Sequence, residues 1–487
     1  MKQLLLSMAG LATLAACTVG PDYAPPAATP AAQAPFLGAN GPQVTAQPAV
    51  ETWWQLYDDP VLDGLVRDAL AHNTDLRAAI ARLDQVRARL REARSDRLPQ
   101  TALDANPVYG RSPATAGEQN RERWSVETGL SIAYEVDLFG RVRRNIEAAR
   151  GDTAAAAADA EAVRVAVVAE TTRAYADAAA AAERIAVAER VVGLLDASVR
   201  LTEKRFEAGR ANRLDVARIS ALRDQRRALV PPLMAERESA LFRLATLTGR
   251  APRDLPPIAG DRDSILQLDQ PIPVGDGASL LARRPDIRAA ERRLAAATAR
   301  IGVETAALYP QISLGGTFGS SGSGFGNLFG SGPLTWLIGP LLTWNFPNQE
   351  AARARIEGAE AASREALAEF DGTVLTALRE TETALTVYAN ALREEAALRS
   401  ALEQAERAVS ITRARQREGV IDFLEVLDAE RTYADVNADL VSARSRTVAA
   451  QIDLFRALGG GWQESGSALA GNRRTAPVDQ AEASAGS

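Results

Sequence analysis

The sequence predicts a mainly α-helical chain that carries a transmembrane β portion of four strands and is built by internal duplication. Three observations predict this. A repeat keeps its displacement along the chain, two proline-free stretches of helical spacing run far longer than a globular helix, and two runs of two-residue alternation sit between helices.

The repeat comes first because it sets the frame. Asp75-Leu76-Arg77-Ala78-Ala79, Arg82-Leu83 and Pro99-Gln100 return as Asp286-Ile287-Arg288-Ala289-Ala290, Arg293-Leu294 and Pro310-Gln311, each displaced by 211 positions. Arg143, Ile146, Glu147 and Ala149 return 210 positions later as Arg353, Ile356, Glu357 and Ala359, and Arg205, Gly209, Leu214 and Val216 return as Arg415, Gly419, Leu424 and Val426. A steady displacement over separate segments marks duplication. It divides the chain into repeat 1 over 53–248, a Pro/Gly-rich linker over 249–277, repeat 2 over 278–462 and a polar tail over 463–487, expected to be disordered.

Each repeat reads helix, hairpin, very long helix, tight turn, helix. The segments are 60–97, 101–139, 141–207 and 212–248 in repeat 1, and 278–308, 311–347, 350–417 and 422–458 in repeat 2. Val163, Val167, Val168 and Tyr175, then Leu375, Leu378, Leu385 and Tyr388, carry helical spacing along the long segments. At 1.5 Å per residue each long helix spans roughly 100 Å, beyond the usual globular length. Small residues dominate these faces, which suits close coiled packing.

Between the helices the period changes. Trp124, Val126, Thr128, Leu130, Ile132, Tyr134 and Val136 alternate onto one face, as do Leu334, Trp336, Ile338, Pro340, Leu342 and Trp344. With partners near 101–110 and 311–320 they predict two hairpins of membrane-spanning length, with polar or Gly-rich tips over 111–123 and 320–333. No run of about 18 apolar residues exists, so any crossing is made by strands. Four strands cannot close a barrel, and an open edge in lipid leaves backbone groups unpaired. Subunits must share one barrel, of eight strands from two chains or twelve from three; spacing alone leaves that choice open.

The first residues set the compartment. Met1-Lys2 and the short apolar run from Leu4 to Ala16 read as a signal peptide over 1–16, and Leu14-Ala15-Ala16-Cys17 as a lipobox whose Cys17 carries acyl chains of the palmitate type. Acyl chains contribute about 0.8 kcal/mol per buried CH₂, which makes Cys17 an anchor. Residues 17–52, with seven prolines from Pro21 to Pro48, read as an extended tether.

Composition excludes most enzymes. Of 487 residues only one is His (His72) and one Cys (Cys17), so no His/Cys metal site, Cys-His couple or Ser-His-Asp triad forms within a subunit. With a net charge of −6 and no basic block, nucleic acid is not an expected partner.

The chemistry that remains lies at the two glycine turns, Arg205-Phe206-Glu207-Ala208-Gly209 and Arg415-Gln416-Arg417-Glu418-Gly419. Asn212 with Asp215, and Asp422 with Glu425, have capping-box spacing for the returning helices. Asp428 lies one turn deeper and extends an acidic stripe, Asp422, Glu425, Asp428, while repeat 1 has Arg218 at the matching position, able to pair with Asp215. Repeated around a symmetric assembly, the stripe becomes a carboxylate ring that favours cations.

Together these features resemble the TolC-like outer-membrane factors, in their OprM/NodT-type lipoprotein branch. The matching motifs are Cys17-Thr18-Val19-Gly20-Pro21-Asp22-Tyr23, Trp53-Trp54 before Asp59-Pro60, Val136-Asp137-Leu138-Phe139-Gly140-Arg141, and the tip run from Gly419 to Ala429. Asn348-Gln349-Glu350 departs from the pattern where repeat 1 has Gly140, and Gln416 stands where the family often has an aromatic. The resemblance implies a homotrimer with one twelve-stranded barrel, continued by a long periplasmic α-helical barrel and lipid-anchored in the outer membrane. It implies the channel of a tripartite efflux system: a passive, cofactor-free duct for small molecules such as drugs and dyes. A periplasmic adaptor (membrane fusion) protein would couple it to an inner-membrane RND-type pump. The same resemblance implies Arg417 and Asp428 as candidate periplasmic gate residues; Glu425 and Asp215 join them as candidates by their place at the tips, with capping as the alternative role, and the Gly209 and Gly419 turns are the expected adaptor-docking region. One alternative keeps the architecture for type I protein secretion. Another is a periplasmic coiled-coil scaffold without a pore.

Overall fold

A computed structural model describes residues 18–27, 29–39, 41–111, 122–268, 270–322, 334–418, 420–421 and 423–460. Cys17 and the tail fall outside the described residues. Nine helices longer than one turn are described: α1 (Pro60–His72), α2 (Thr74–Ser95), α3 (Arg141–Glu207), α4 (Arg213–Arg227), α5 (Val230–Leu247), α6 (Gly277–Arg283), α7 (Pro285–Ala306), α8 (Glu350–Arg417) and α9 (Phe423–Ala457). Six strands accompany them: β1 (Val44–Thr45), β2 (Gln100–Arg111), β3 (Glu122–Val136), β4 (Ile272–Pro273), β5 (Gln311–Gly322) and β6 (Leu334–Thr343). The order of helices, hairpin and long helix is shared by the two repeats, but the returning helix is split into α4 and α5 in repeat 1 and continuous as α9 in repeat 2. The long helices α3 and α8 have 67 and 68 residues, each unbroken and about 100 Å long. No described helix is long and apolar enough to cross a membrane.

The chain forms two compact units, each drawing on both halves of the sequence. The first contains Met1–Ala27, Ala81–Ala158 and Arg288–Thr373. It holds the four-stranded antiparallel sheet in the order β2-β3-β5-β6, with the helix segments that enter and leave it. Ala93 of α2 packs on Val142 and Ile146 of α3, and Leu294 and Ala297 of α7 pack on Ala366 of α8. Small residues bring the helices together: a Cβ on Gly151 would lie 2.9 Å from the Cβ of Ala296.

The second unit contains Ala28–Ile80, Asp159–Ile287 and Val374–Ser487. Its main core gathers Trp53, Trp54, Leu62, Tyr175, Leu385, Ile452 and Phe455, with the Trp53 indole stacked on the Phe455 ring at 4.8 Å. A second core joins Val191, Leu195 and Val199 of α3 to Ile219 and Leu222 of α4 and Ala434 of α9.

Three expected continuous helices are interrupted, each for a local reason. Segment 60–97 breaks at Asn73, whose buried Oδ1 accepts the Asp75 and Leu76 N–H groups while its Nδ2 donates to the Leu247 carbonyl at 3.0 Å. One side chain therefore starts α2 and ties down the end of α5. Segment 212–248 breaks at Ala228-Leu229, before Pro231 and Pro232, and segment 278–308 breaks at Arg284 before Pro285. The last two follow from missing proline donors.

The Pro-rich N-terminal region is irregular, with a helical turn at Pro30–Gln33, and it is not a free tether. Phe36 and Val44 are buried, and β1 pairs in parallel with β4 of the region between the repeats, Val44 opposite Ile272. Leu266, Ile272 and Val274 in that region are buried as well, so it too is packed. Proline and glycine suppress regular helix and strand but leave apolar side chains free to insert singly, without a period to read.

Candidate channel sheet and helix tips

Register assigns each strand residue to a face, because directly paired residues point the same way. Leu103 pairs with Leu130, which pairs with Phe318, which pairs with Trp336. Ile132, Gly316 and Ile338 form a second such row, and Tyr134, Leu314 and Pro340 a third. The opposite face carries Asp104, Asn106, Glu127, Ser131, Ser313, Thr317 and Thr335, with Val108, Leu337 and Leu341 as its apolar members. The sheet therefore has one apolar and one mostly polar face.

Among the described residues most of the apolar face is uncovered, Val126 being its buried exception. Leu103 and Ile338 are each 79% exposed and Trp336 is 70% exposed. In water such a surface is unfavourable by about 25 cal/mol per Å². Aromatic rings bracket it. Tyr109 and Trp124 meet at 5.5 Å near one end. At the helix-bearing end Phe139 stacks on Tyr309 at 4.5 Å, Trp344 stacks on Phe346 at 4.7 Å, and the Trp344 Nε1–H donates to the Leu308 carbonyl at 3.1 Å. Ten steps from Trp124 to Tyr134 at ~3.3 Å each, tilted by ~40°, give a height of about 25 Å, that of an outer-membrane apolar band. Among the described residues β2 and β6 each pair on one side only. A lipid-embedded sheet must satisfy those edges with strands of further subunits.

The helix tips are built from turn chemistry. After α3, Gly209 has φ +67°, its N–H donates to the Phe206 carbonyl, and the Arg210 N–H reaches the Arg205 carbonyl at 2.7 Å. This is a Schellman closure, which needs a left-handed residue at Gly209. The Val420 N–H makes the equivalent bond to the Arg415 carbonyl at 3.0 Å, while Gly419 and Asp422 lie outside the described residues. Gly209→Val is expected to destabilise the turn by about 1–2 kcal/mol, because a β-branched residue is strained at positive φ. Faster amide exchange confined to residues 205–215 would show it; unchanged exchange there would contradict the turn's role.

Asp215 is a cap. Asn212 Oδ1 accepts the Asp215 N–H at 2.9 Å and the Asp215 carboxylate accepts the Asn212 N–H at 3.2 Å, a reciprocal capping box. The expected Asp215–Arg218 pair is not formed among the described residues, since the carboxylate is used on the backbone instead. Arg417, at the end of α8, and Glu425 and Asp428, in the first turns of α9, are all exposed. None of the three makes an ion pair among the described residues, and Arg417 and Asp428 are not joined to each other. They are charges offered outward.

One turn deeper lies a carboxylate that sequence reading missed. Glu430 is 8% exposed and accepts from the Arg413 guanidinium at 2.9 Å and from Ser198 Oγ at 3.3 Å, tying α9 to α8 and α3. Its signal was present: Glu430 stands at the i+4 step between buried Val426 and Ala434, where an apolar residue belongs. Asp59, quoted for its motif, proves to be a buried junction. Its Oδ1 accepts the Val61 and Leu62 N–H groups at the start of α1, and its Oδ2 accepts from the Tyr175 hydroxyl at 2.9 Å and Arg262 at 2.8 Å. No group of three or more metal-ligating side chains occurs among the described residues.

A sheet with one lipid-type face, bracketed by aromatics and continued into helices of nearly seventy residues, defines an outer-membrane channel protomer. The model of the family described as "Outer membrane efflux protein" matches residues 65–250 and 278–460, and the chain belongs to that family. It is 35% identical over 457 residues to the outer membrane protein OprJ of Pseudomonas aeruginosa, covering 93% of this chain and 94% of that one. It is 31% identical over 473 residues to the probable efflux pump outer membrane protein TtgC of Pseudomonas putida, covering 95% and 97%. The solved outer-membrane channel OprN superposes with a TM-score of 0.86 at 35% identity, over 92% of this chain and all of that one. The protein is an outer-membrane efflux component of the TolC-like, OprM/NodT type.

Proposed function

We propose that the protein is the passive outer-membrane duct of a tripartite efflux system, exporting small toxic molecules such as drugs and dyes. It works as a homotrimer with a shared twelve-stranded barrel. An inner-membrane RND-type transporter supplies the energy and a periplasmic adaptor links the two. Cys17 is acylated and anchors the chain in outer-membrane lipid. The observation that carries the reading is the sheet: its lipid-type face and unpaired edges require further copies, and its other face is polar enough to line water. Relatives named for antibiotic and toluene efflux support small-molecule cargo over secreted protein. The chain performs no catalysis; its work is conduction and gating.

In this reading the Gly209 and Gly419 turns receive the adaptor. Arg417, Glu425 and Asp428 contribute to contacts between protomers that hold the mouth narrow, with Asp215 beside them in its capping role. Carboxylates on the polar sheet face, Asp104 and Glu127, add to the cation preference of the tip stripe. The test is single-channel conductance of Arg417→Ala and Asp428→Ala in planar bilayers. Either substitution is expected to raise conductance several-fold, and Asp428→Ala to weaken cation selectivity. Unchanged conductance and selectivity in both would remove these residues from the gate.

A further inference from the structure

The segment that follows Cys17 is held more firmly than a lipid tether requires. Val19 donates its N–H to the Phe139 carbonyl, in the corner between β3 and α3, at 3.2 Å. Arg144, in the first turn of α3, is 4% exposed, and its guanidinium is divided among four acceptors. Its Nε donates to the Val19 carbonyl at 3.3 Å, and its Nη2 to the Gly20 carbonyl at 3.3 Å and the Asp22 carboxylate at 2.7 Å. Its Nη1 donates to Glu147 at 2.8 Å, which orients the fork from within α3.

Shape reinforces these bonds. Gly20 has φ +88°, and a Cβ there would lie 2.4 Å from the Cα of Gly302 in α7. Gly302 in turn makes room for the arginine stem, since a Cβ on it would lie 2.8 Å from Arg144 Cγ. Gly140, at φ +81°, leaves space for Thr18, whose Cγ2 would be 2.1 Å from a Cβ. At the far end of the segment the Tyr23 hydroxyl donates to Glu291 at 2.6 Å, and its ring packs on Leu294, Ala297 and Ala366. Burial and the Glu291 bond raise the Tyr23 pKa, so the phenol stays a donor. Six consecutive residues thus meet a fork, three glycine clearances and a phenol socket, all within one compact unit.

We propose that Arg144 is the receptor for the mature N-terminus. It fixes Thr18–Tyr23 on the β3–α3 corner, so that the residue bearing the anchor is delivered to one place on its own protomer. Without this clamp, the 19 residues from Cys17 to buried Phe36 could sweep about 60 Å. The fork requires arginine, because a lysine ammonium offers a single point donor to acceptors lying in several directions. The membrane consequence rests on the reading of Cys17 as lipidated; the clamp itself does not.

Amide exchange of the full chain in detergent, followed in peptides covering residues 18–27, tests the proposal. Slow exchange is expected in the native protein and in Cys17→Ser alike. Arg144→Ala is expected to accelerate it at least tenfold, and Arg144→Lys to restore only part of the protection. Asp22→Ala removes a carboxylate whose side chain is 91% exposed, so folding is unaffected and a few-fold acceleration is expected. Exchange at unstructured rates in the native protein, or unchanged exchange in both Arg144→Ala and Asp22→Ala, would overturn the clamp. Release in Cys17→Ser alone would also overturn it, since the membrane would then be holding the segment. Intact mass reads lipidation separately: an unmodified Cys17 beside a protected 18–27 peptide would remove the lipoprotein reading and support the clamp.

Discussion

Ile338→Arg is expected to cost about 2–4 kcal/mol of membrane-inserted stability per subunit, whereas Thr317→Arg, on the other face, is expected to fold and insert. The two positions lie on adjacent strands. Ile338 pairs with Gly316 and belongs to the face of Leu130, Phe318 and Trp336, while Thr317 pairs with Ser131 and Leu337 on the polar face. Within the chain Ile338 is 79% exposed, so a soluble protein would tolerate or even favour an arginine there. Only contact with hydrocarbon turns that substitution into a large loss. Thr317→Arg should instead act on conduction, adding positive charge to the face that carries Asp104 and Glu127 and lowering cation preference. Urea titration of the lipid-reconstituted proteins measures the first effect and reversal potentials measure the second. Equal stability of the two variants would mean that the apolar face does not meet lipid.

Trp53→Ala is expected to destabilise the second unit by about 3–5 kcal/mol. The indole is fully buried and stacked on Phe455, among Trp54, Leu62, Tyr175 and Leu385. Its neighbour Asp59 ties the start of α1 to α3 through Tyr175 and to the region between the repeats through Arg262. Loss of the ring would loosen that whole cluster. Trp53→Phe is expected to cost considerably less, because it keeps the stack and the Trp53 Nε1 has no hydrogen-bond partner among the described residues. Denaturant midpoints at constant slope would measure the difference. A stability loss below about 0.5 kcal/mol for Trp53→Ala, taken from the midpoint shift and slope, would show that the ring is not the keystone of this core.

The long elements were legible because one physical rule governs each of them over many residues. Nearly seventy residues without proline, carrying helical spacing, leave α3 and α8 little freedom to be anything else. The strands announced themselves by alternation, and register then showed that the alternating set forms one face of the sheet. Repetition supported the order of the long helices and hairpins, though not the breaks at Asn73, Ala228-Leu229 and Arg284.

What escaped was set by single side chains acting across the sequence. Asn73 caps the start of α2 by a local bond, and its amide is also held by Leu247, far away in sequence. Phe36, Val44 and Ile272 are buried from segments whose proline content masks any period. Glu430 was readable as a polar residue on an apolar stripe, yet its partners Arg413 and Ser198 come from two other helices. At the tips, the turn at Gly209 and the Asp215 cap followed from local rules, whereas the exposed Arg417, Glu425 and Asp428 make no ion pair among the described residues. The proposed gate gives them partners on other protomers, and a single sequence carries only their charge and spacing.

If several copies of this sheet close into a conducting barrel, planar-bilayer conductance of the purified protein, with its native mass in the same detergent, will show a trimer with small, cation-selective openings. A well-folded monomer, or a trimer that never conducts even after Arg417 and Asp428 are removed, would contradict that closure.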